Sequence, residues 1–248
     1  MVVGIVLGLL GGGGSIMALP IFLYVFGVDA KPAIAMSLAV VGMSAFVGFL
    51  THWKQGTVQL RVALPFGACA MVSAFATARL THFVSAGVQL ALFAAFAFSV
   101  AFFMLRDSMK PDQGDGGAAP NEAPEIHFTP LLALLALGVG ALTALIGAGG
   151  GFVIVPALVL LAGVPIKPAV GSSLLIITMN AMSGFVGYIG QVPIDWPLVT
   201  WFTAVAAVGA IVGTRLNRRL PQRRIKQGFA VLIIVLGGYL VVRKLSAF

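Results

Sequence analysis

The sequence predicts an all-α integral membrane protein built from two homologous repeats, and three observations predict it. The 248 residues are 60% hydrophobic and 9% charged, with a mean hydropathy of +1.07, whereas soluble domains carry about 25% charged residues. Long stretches contain no charge at all, among them 83–105, 128–166 and 168–194. These stretches exceed the roughly 18 apolar residues that mark a membrane-spanning helix. The third observation is an internal repeat.

The repeat has a constant offset of 136 residues. GGGGSIMALP at 11–20 and GAGGGFVIVP at 147–156 both fit G-x-G-G-x5-P, and Lys-Pro-Ala follows at 31–33 and 167–169. Chance similarity between apolar segments would not hold glycine, proline and lysine in register, so we infer a duplication. It predicts a first transmembrane repeat at 1–106 and a second at 128–248. Residues 107–127 are rich in Pro, Gly and acidic side chains, which predicts a flexible linker.

The orientation of the repeats depends on their first segment, which the glycines break, while three further segments of each repeat can span. If the broken segment crosses the membrane, each repeat has four crossings and the two are parallel. If it is re-entrant, each has three crossings and the repeats are inverted. The fifteen Lys and Arg residues divide nine to six between the two sides in the parallel arrangement and eleven to four in the inverted one. The positive-inside rule therefore favours inverted repeats.

The glycine clusters predict an anion site in the protein interior. Consecutive glycines do not sustain a helix, because each costs about 1 kcal/mol relative to alanine. Broken backbone at membrane depth needs protein or a water-filled cavity around it. The short helix after each cluster would then present unpaired N–H groups and its positive dipole end. The alternative is that the glycines only permit close helix packing, but packing predicts spaced glycines rather than a cluster followed by proline.

The candidate substrate-binding residues combine the cluster backbone with hydroxyl and amide side chains of the following segment. They are Gly13, Gly14, Ser15, Ser37, Ser44, Gly149, Gly150, Gly151, Ser172, Ser173 and Asn180. Lys31 and Lys167 stand at segment boundaries, where they either anchor in headgroups or attract an anion to a vestibule. No Asp or Glu lies within a predicted span, which argues against a cation substrate held by carboxylates.

Several functional classes are disfavoured by the composition. Paired carboxylates, a Ser/His/Asp set and a nucleotide-binding loop are all missing from the sequence, so we expect no catalytic residues and no cofactor. Three isolated histidines and one cysteine make a metal site unexpected. The net charge of +8 comes from basic residues between spans, which indicates lipid headgroups rather than nucleic acid as their partner.

The doubled G-x-G-G-x5-P motif, followed each time by Lys-Pro-Ala and by Ser37 or Ser173, resembles the sulfite exporter TauE/SafE family of membrane permeases with two homologous halves. The segment GTRLNRRL at 213–220 is also similar to that family's pattern, while the first repeat departs from it at Ala76 and Thr77. The resemblance implies transport of sulfite, organosulfonates or related small organic anions, often outward across a bacterial cytoplasmic membrane.

Together these observations predict a multi-pass secondary transporter of a bacterial-type cytoplasmic membrane that binds a small anion between its repeats. Without an ATP-binding motif, an ion gradient is the expected driving force, and the proton is one candidate coupling ion. A passive anion channel using the same site is the alternative. A membrane assembly or redox protein is a third hypothesis, which the lone Cys69 disfavours. Homo-oligomerisation is compatible with all three.

Overall fold

The computed structural model describes residues 17–108, 130–147, 149–160 and 162–217, and within these ranges it contains helices and no strand. The α-helices are α1 (Ala18–Tyr24), α2 (Ala30–Trp53), α3 (Leu60–Leu80), α4 (Ala86–Ser108), α5 (Pro130–Ile146), α6 (Gly151–Leu160), α7 (Ile166–Tyr188) and α8 (Trp196–Asn217). A short 3-10 turn, Thr81–Phe83, follows α3.

Within the described residues, three helical stretches are long and apolar enough to cross a membrane: Ala30–Trp53, Leu60–Phe83 and Pro168–Tyr188. Shorter apolar stretches are Ala86–Phe96, Pro130–Ile146 and Trp196–Val212. A helix satisfies its backbone hydrogen bonds within itself, which is what a hydrocarbon environment requires. The described residues therefore confirm the prediction of an all-α fold with helices suited to a membrane.

The local structure repeats at the offset found in the sequence. Helices α2 and α7 begin at residues 30 and 166, and α3 and α8 begin at 60 and 196. The turns before α2 and α7 also match, because Gly27 has φ 66° and Gly163 has φ 64°. In each turn the following amide, of Val28 or Val164, bonds the carbonyl six residues earlier at 3.0 Å. The left-handed glycine turns the chain back towards each short helix, a conformation that glycine adopts at little cost.

Helices α2 and α7 form a central pair with reciprocal packing. A Cβ added at Gly184 would lie 3.3 Å from Leu38 Cδ1, and one added at Gly48 would lie 3.3 Å from Leu174 Cδ1. The early part of each helix thus contacts the late part of the other, so the two helices run antiparallel. Helix α3 packs against α7, and its repeat-related helix α8 packs against α2.

Helix α5 approaches α3 closely and thereby fixes the position of the glycine cluster that follows it. Gly140 lies directly against the backbone of Ala70, so closely that a Cβ would collide with the carbonyl group. Ser73 Oγ donates a hydrogen bond to the Leu137 carbonyl at 2.6 Å. The last residue of α5, Ile146, is buried in the core, and the chain then enters the glycine cluster.

Candidate functional site

The second glycine cluster interrupts the helix inside the protein. Helix α5 ends at Ile146 and α6 begins at Gly151. Between them Gly147 has φ 73° and Gly150 has φ 68°, a left-handed conformation that costs glycine little and other residues much more. Gly147, Gly149, Gly150 and Gly151 are all buried. We call residues 147–151 the glycine break.

Ser37 of the first repeat contacts the first residue of the glycine break, which belongs to the second repeat. Its Oγ lies 2.8 Å from the Gly147 carbonyl oxygen and 2.8 Å from the carbonyl oxygen of Ile34 in its own helix. Since a serine hydroxyl carries one hydrogen, the two acceptors share it. Ser37 is fully buried, so a functional residue predicted in one repeat lies at the break of the other.

Thr143 contacts the glycine break from the other direction, and Asn180 is hydrogen-bonded to Thr143. Asn180 Nδ2 donates to Thr143 Oγ1 at 2.9 Å, and both side chains are buried. A Cβ added at Gly150 would lie 2.8 Å from Thr143 Oγ1, and the Gly147 amide donates to the Thr143 carbonyl at 2.9 Å. Thr143 therefore links the break to α7. The sequence reasoning missed Thr143, although its place one helical turn before Gly147 was a usable signal.

Two repeat-related side chains carry buried polar atoms with no hydrogen-bond partner. They are Ser44 Oγ on α2 and Asn180 Oδ1 on α7, and both residues have no exposed surface. Ser44 follows Ser37 by seven residues, as Asn180 follows Ser173, so each pair shares one helix face. An unpaired buried polar group costs about 1–3 kcal/mol. Such groups in a well-packed interior call for an explanation, and ligand binding provides one.

The two consecutive serines at the start of α7 make different contacts. Ser172 Oγ accepts a hydrogen bond from the Gln59 amide at 2.9 Å and so joins the start of α3 to the start of α7. Ser173 Oγ donates to the Val170 carbonyl at 2.8 Å. That bond repeats the Ser37 bond to Ile34 at the same offset and distance.

The remaining candidates lie at the edge of the described structure or outside it. Lys31 is half-buried in the first turn of α2, and Asp29 and Pro32 beside it line a surface crevice of about 410 Å³. Asp195 lines the same crevice, so a vestibule there would carry acidic as well as basic groups. The first cluster, with Gly13, Gly14 and Ser15, lies outside the described residues, and so does the side chain of Lys167.

The buried polar side chains of the described structure carry no charge. Among the described residues, the buried polar side chains are all neutral: Ser37, Ser44, Thr81, Gln89, Thr143, Ser172, Ser173 and Asn180. No cluster of three or more His, Cys, Asp or Glu side chains occurs in the part of the chain that the structure describes. Hydroxyl, amide and backbone groups are therefore what this interior offers to a ligand.

Comparison with known proteins identifies the family. Residues 1–240 match the sequence profile of the family described as Sulfite exporter TauE/SafE. The chain belongs to this family. This TauE/SafE protein is 31% identical to a probable membrane transporter protein of Xylella fastidiosa, with 97% of this chain and 92% of the relative covered. It is 26% identical to the probable membrane transporter protein YdhB of Bacillus subtilis, with 94% of each chain covered.

A more distant relative, a probable membrane transporter protein of Methanocaldococcus jannaschii, is 23% identical over 97% of this chain and 94% of its own length. No solved structure matches this TauE/SafE chain. The family and the relatives together confirm the family resemblance seen in the sequence, and they support a membrane transporter.

Proposed function

We propose that this TauE/SafE protein is a secondary transporter that carries a small anion, such as sulfite or an organosulfonate, across the cytoplasmic membrane. The observation that carries the proposal is the buried glycine break, which Ser37 contacts from the first repeat and Thr143 contacts from the second. Asn180 is hydrogen-bonded to Thr143. The interior there supplies neutral hydrogen-bond donors, which bind an anion without the strength of a buried ion pair and so allow its release.

The anion's oxygens would accept hydrogen bonds from several sources. Gly149, Gly150 and Gly151 lead into α6, whose first N–H groups lack intrahelical partners and whose dipole is positive at that end. Ser44 offers an uncommitted hydroxyl. Asn180 Nδ2 has two hydrogens and uses one on Thr143, so the second is available. By the symmetry of the repeat, the equivalent half of the site would consist of Gly13, Gly14, Ser15 and Ser173. Ser37 would lie between the two halves of the site.

The proposed repeats are inverted, and the site lies between them. The antiparallel packing of α2 and α7 supports this arrangement, because parallel repeats would make these two equivalent helices parallel. An inverted arrangement places eleven of the fifteen Lys and Arg residues on one side, which the positive-inside rule assigns to the cytoplasm. Alternating access would follow from rocking one repeat against the other.

Disulfide cross-linking tests the inverted arrangement. In a Cys69→Ala background, Leu38→Cys with Gly184→Cys should cross-link on mild oxidation, because those positions are in contact. The matched pair Leu38→Cys with Leu174→Cys should not, because these equivalent positions are separated along antiparallel helices. Cross-linking of the second pair and not the first would contradict the inverted arrangement.

The transport proposal is tested by flux of radiolabelled sulfite and sulfoacetate in proteoliposomes. A carrier gives saturable flux that unlabelled anion on the opposite side accelerates, whereas a passive channel gives large currents without that acceleration. Ser44→Ala should reduce the flux, while Thr51→Val, on the same helix but bonded only to its own Val47 carbonyl, should not. Absence of anion-dependent flux from monodisperse wild-type protein would refute the proposal.

Export is the proposed direction for an anion that moves alone. An inside-negative potential is worth about 2.3 kcal/mol per charge per 100 mV and drives anions outward. Measuring efflux against an imposed potassium diffusion potential checks this, since flux of an uncompensated anion should rise when the inside is made more negative. A co-transported cation would remove that dependence.

A further inference from the structure

We propose that neutral oxygens at the C-terminal end of α5 form a Na⁺ site next to the anion site. The coupling role of this cation rests on the proposed transport function, but its binding can be measured without any anion. The central group is Asn180 Oδ1, a fully buried acceptor that has no hydrogen-bond partner. A free acceptor in this position suits a cation, and it contributes nothing to binding an anion.

The other oxygens belong to the last turn of α5 and to the residue that follows it. Thr143 Oγ1 is held by the Asn180 amide group that carries Oδ1, and it touches the backbone at Gly150. The Gly147 carbonyl lies 2.8 Å from Ser37 Oγ. The last carbonyls of α5 form the negative end of its helix dipole. Unwound carbonyls and half-helix C-terminal ends coordinate Na⁺ in transporters with broken helices.

Charge balance favours a cation at this place. An anion moved into a low-dielectric interior is costly unless a charge of opposite sign offsets it. Within the described ranges, the buried side chains include no Lys or Arg that could do so. They also include no carboxylate, and the half-buried imidazole of His52 lies in the last turn of α2 beside Thr57, fifteen residues beyond Ser37. Neutral oxygens bind Na⁺ directly, so a sodium ion meets the requirement without a titratable residue.

Asn180 couples the two ions because its amide has two ends. The free hydrogen on Nδ2 serves the anion and Oδ1 serves the cation, so either ion orients the amide for the other and the two bind cooperatively. With one sodium ion and one monovalent anion the bound pair is electrically neutral, and the membrane potential then no longer acts on it. Export then requires an outward anion gradient steeper than the inward sodium gradient.

The test is binding of ²²Na⁺ to the purified full-length protein in detergent. No sulfite or organosulfonate is added, and the counter-ion is chloride or gluconate. Wild-type protein should bind saturably, with displacement by unlabelled Na⁺ and weaker displacement by K⁺ or choline. Asn180→Leu should weaken Na⁺ binding by about tenfold or more. The loss of one oxygen that contacts a charged ion costs at least about 1.4 kcal/mol, which corresponds to a factor of ten in affinity. Thr178→Val is the matched control, because its hydroxyl bonds only the Leu174 carbonyl of the same helix.

A second variant separates a ligand from a packing role. Asn180→Asp adds negative charge, so Na⁺ binding should be retained or strengthened while anion flux falls, whereas a purely structural Asn180 predicts loss of both. If Asn180→Leu does not fold, Thr143→Val takes its place with the same expectation.

The proposal is overturned if wild-type protein that transports sulfite shows no Na⁺-displaceable binding, or if flux is unchanged with choline replacing sodium. Sodium binding without anion flux would support the cation site and refute the transport proposal.

Discussion

Two serines lie on one face of α2, and replacing them with alanine should change the stability of the protein in opposite directions. Ser37 and Ser44 are seven residues apart and both have no exposed surface. Ser37 Oγ is hydrogen-bonded to the Gly147 carbonyl, whereas Ser44 Oγ has no partner. Replacing each with alanine removes one oxygen atom and changes nothing else in the covalent structure.

The magnitudes follow from these contacts. A buried hydroxyl without a hydrogen bond costs about 1–3 kcal/mol, and the small void left by its oxygen costs roughly 0.3 kcal/mol. Ser44→Ala should therefore raise the free energy of unfolding by about 1 kcal/mol or more. Ser37→Ala removes a made bond and leaves the Gly147 carbonyl without its hydroxyl donor, which costs about 1–3 kcal/mol.

Thermal unfolding in detergent measures both variants against wild type. One kcal/mol corresponds to about 2–4 °C in Tm for a chain of this size, so Ser44→Ala should unfold a few degrees above wild type and Ser37→Ala a few degrees below. Anion flux should fall in both variants if both hydroxyls serve the substrate. The reasoning is refuted if Ser44→Ala is destabilised as much as Ser37→Ala, or if it is stabilised and transports normally.

Two further substitutions test the packing that positions the break. Gly140→Ala should lower Tm by several degrees, because the added Cβ meets the backbone of Ala70 and overpacking costs about 1–3 kcal/mol. The control Gly138→Ala has open space around the added Cβ, so Tm should stay unchanged or rise. Equal effects of the two would contradict the close approach of α3 and α5. Tyr188→Phe should cost about 1–3 kcal/mol, because the phenol donates to a carbonyl of α5 at 2.9 Å and accepts from Gln89. Adding Gln89→Leu should recover part of that loss, and a double variant no more stable than Tyr188→Phe would argue against the coupling.

The sequence predicted the features that depend on local chemistry. Glycine clusters break helices wherever they occur, so the interruption before Gly151 followed from composition. The offset of the duplication predicted equivalent positions, and the matching turns at Gly27 and Gly163 agree with it. Ser37 and Asn180 are buried, and their role in binding an anion stays a prediction.

Contacts between distant segments could not be read from the same patterns. Thr143 was overlooked because a threonine in an apolar helix usually bonds its own backbone, and only the approach of α7 brings Asn180 to it. Ser172 is one of the predicted site residues, and the pattern gives no sign that its hydroxyl pairs with Gln59 of the first repeat. Such pairings depend on how the helices cross, and hydrophobicity alone does not specify a crossing.

The sequence by itself determined a duplicated, helical membrane protein with two glycine clusters and an uncharged interior, because apolar length, glycine content and register are properties of the chain. The tertiary structure alone decided that α2 and α7 pack antiparallel through reciprocal Leu–Gly contacts and that Ser37 meets the break of the other repeat. It also left Ser44 and Asn180 with unpaired atoms. These outcomes required the actual packing of side chains against backbone, since a buried polar atom is satisfied or unsatisfied only by the neighbours that folding brings to it.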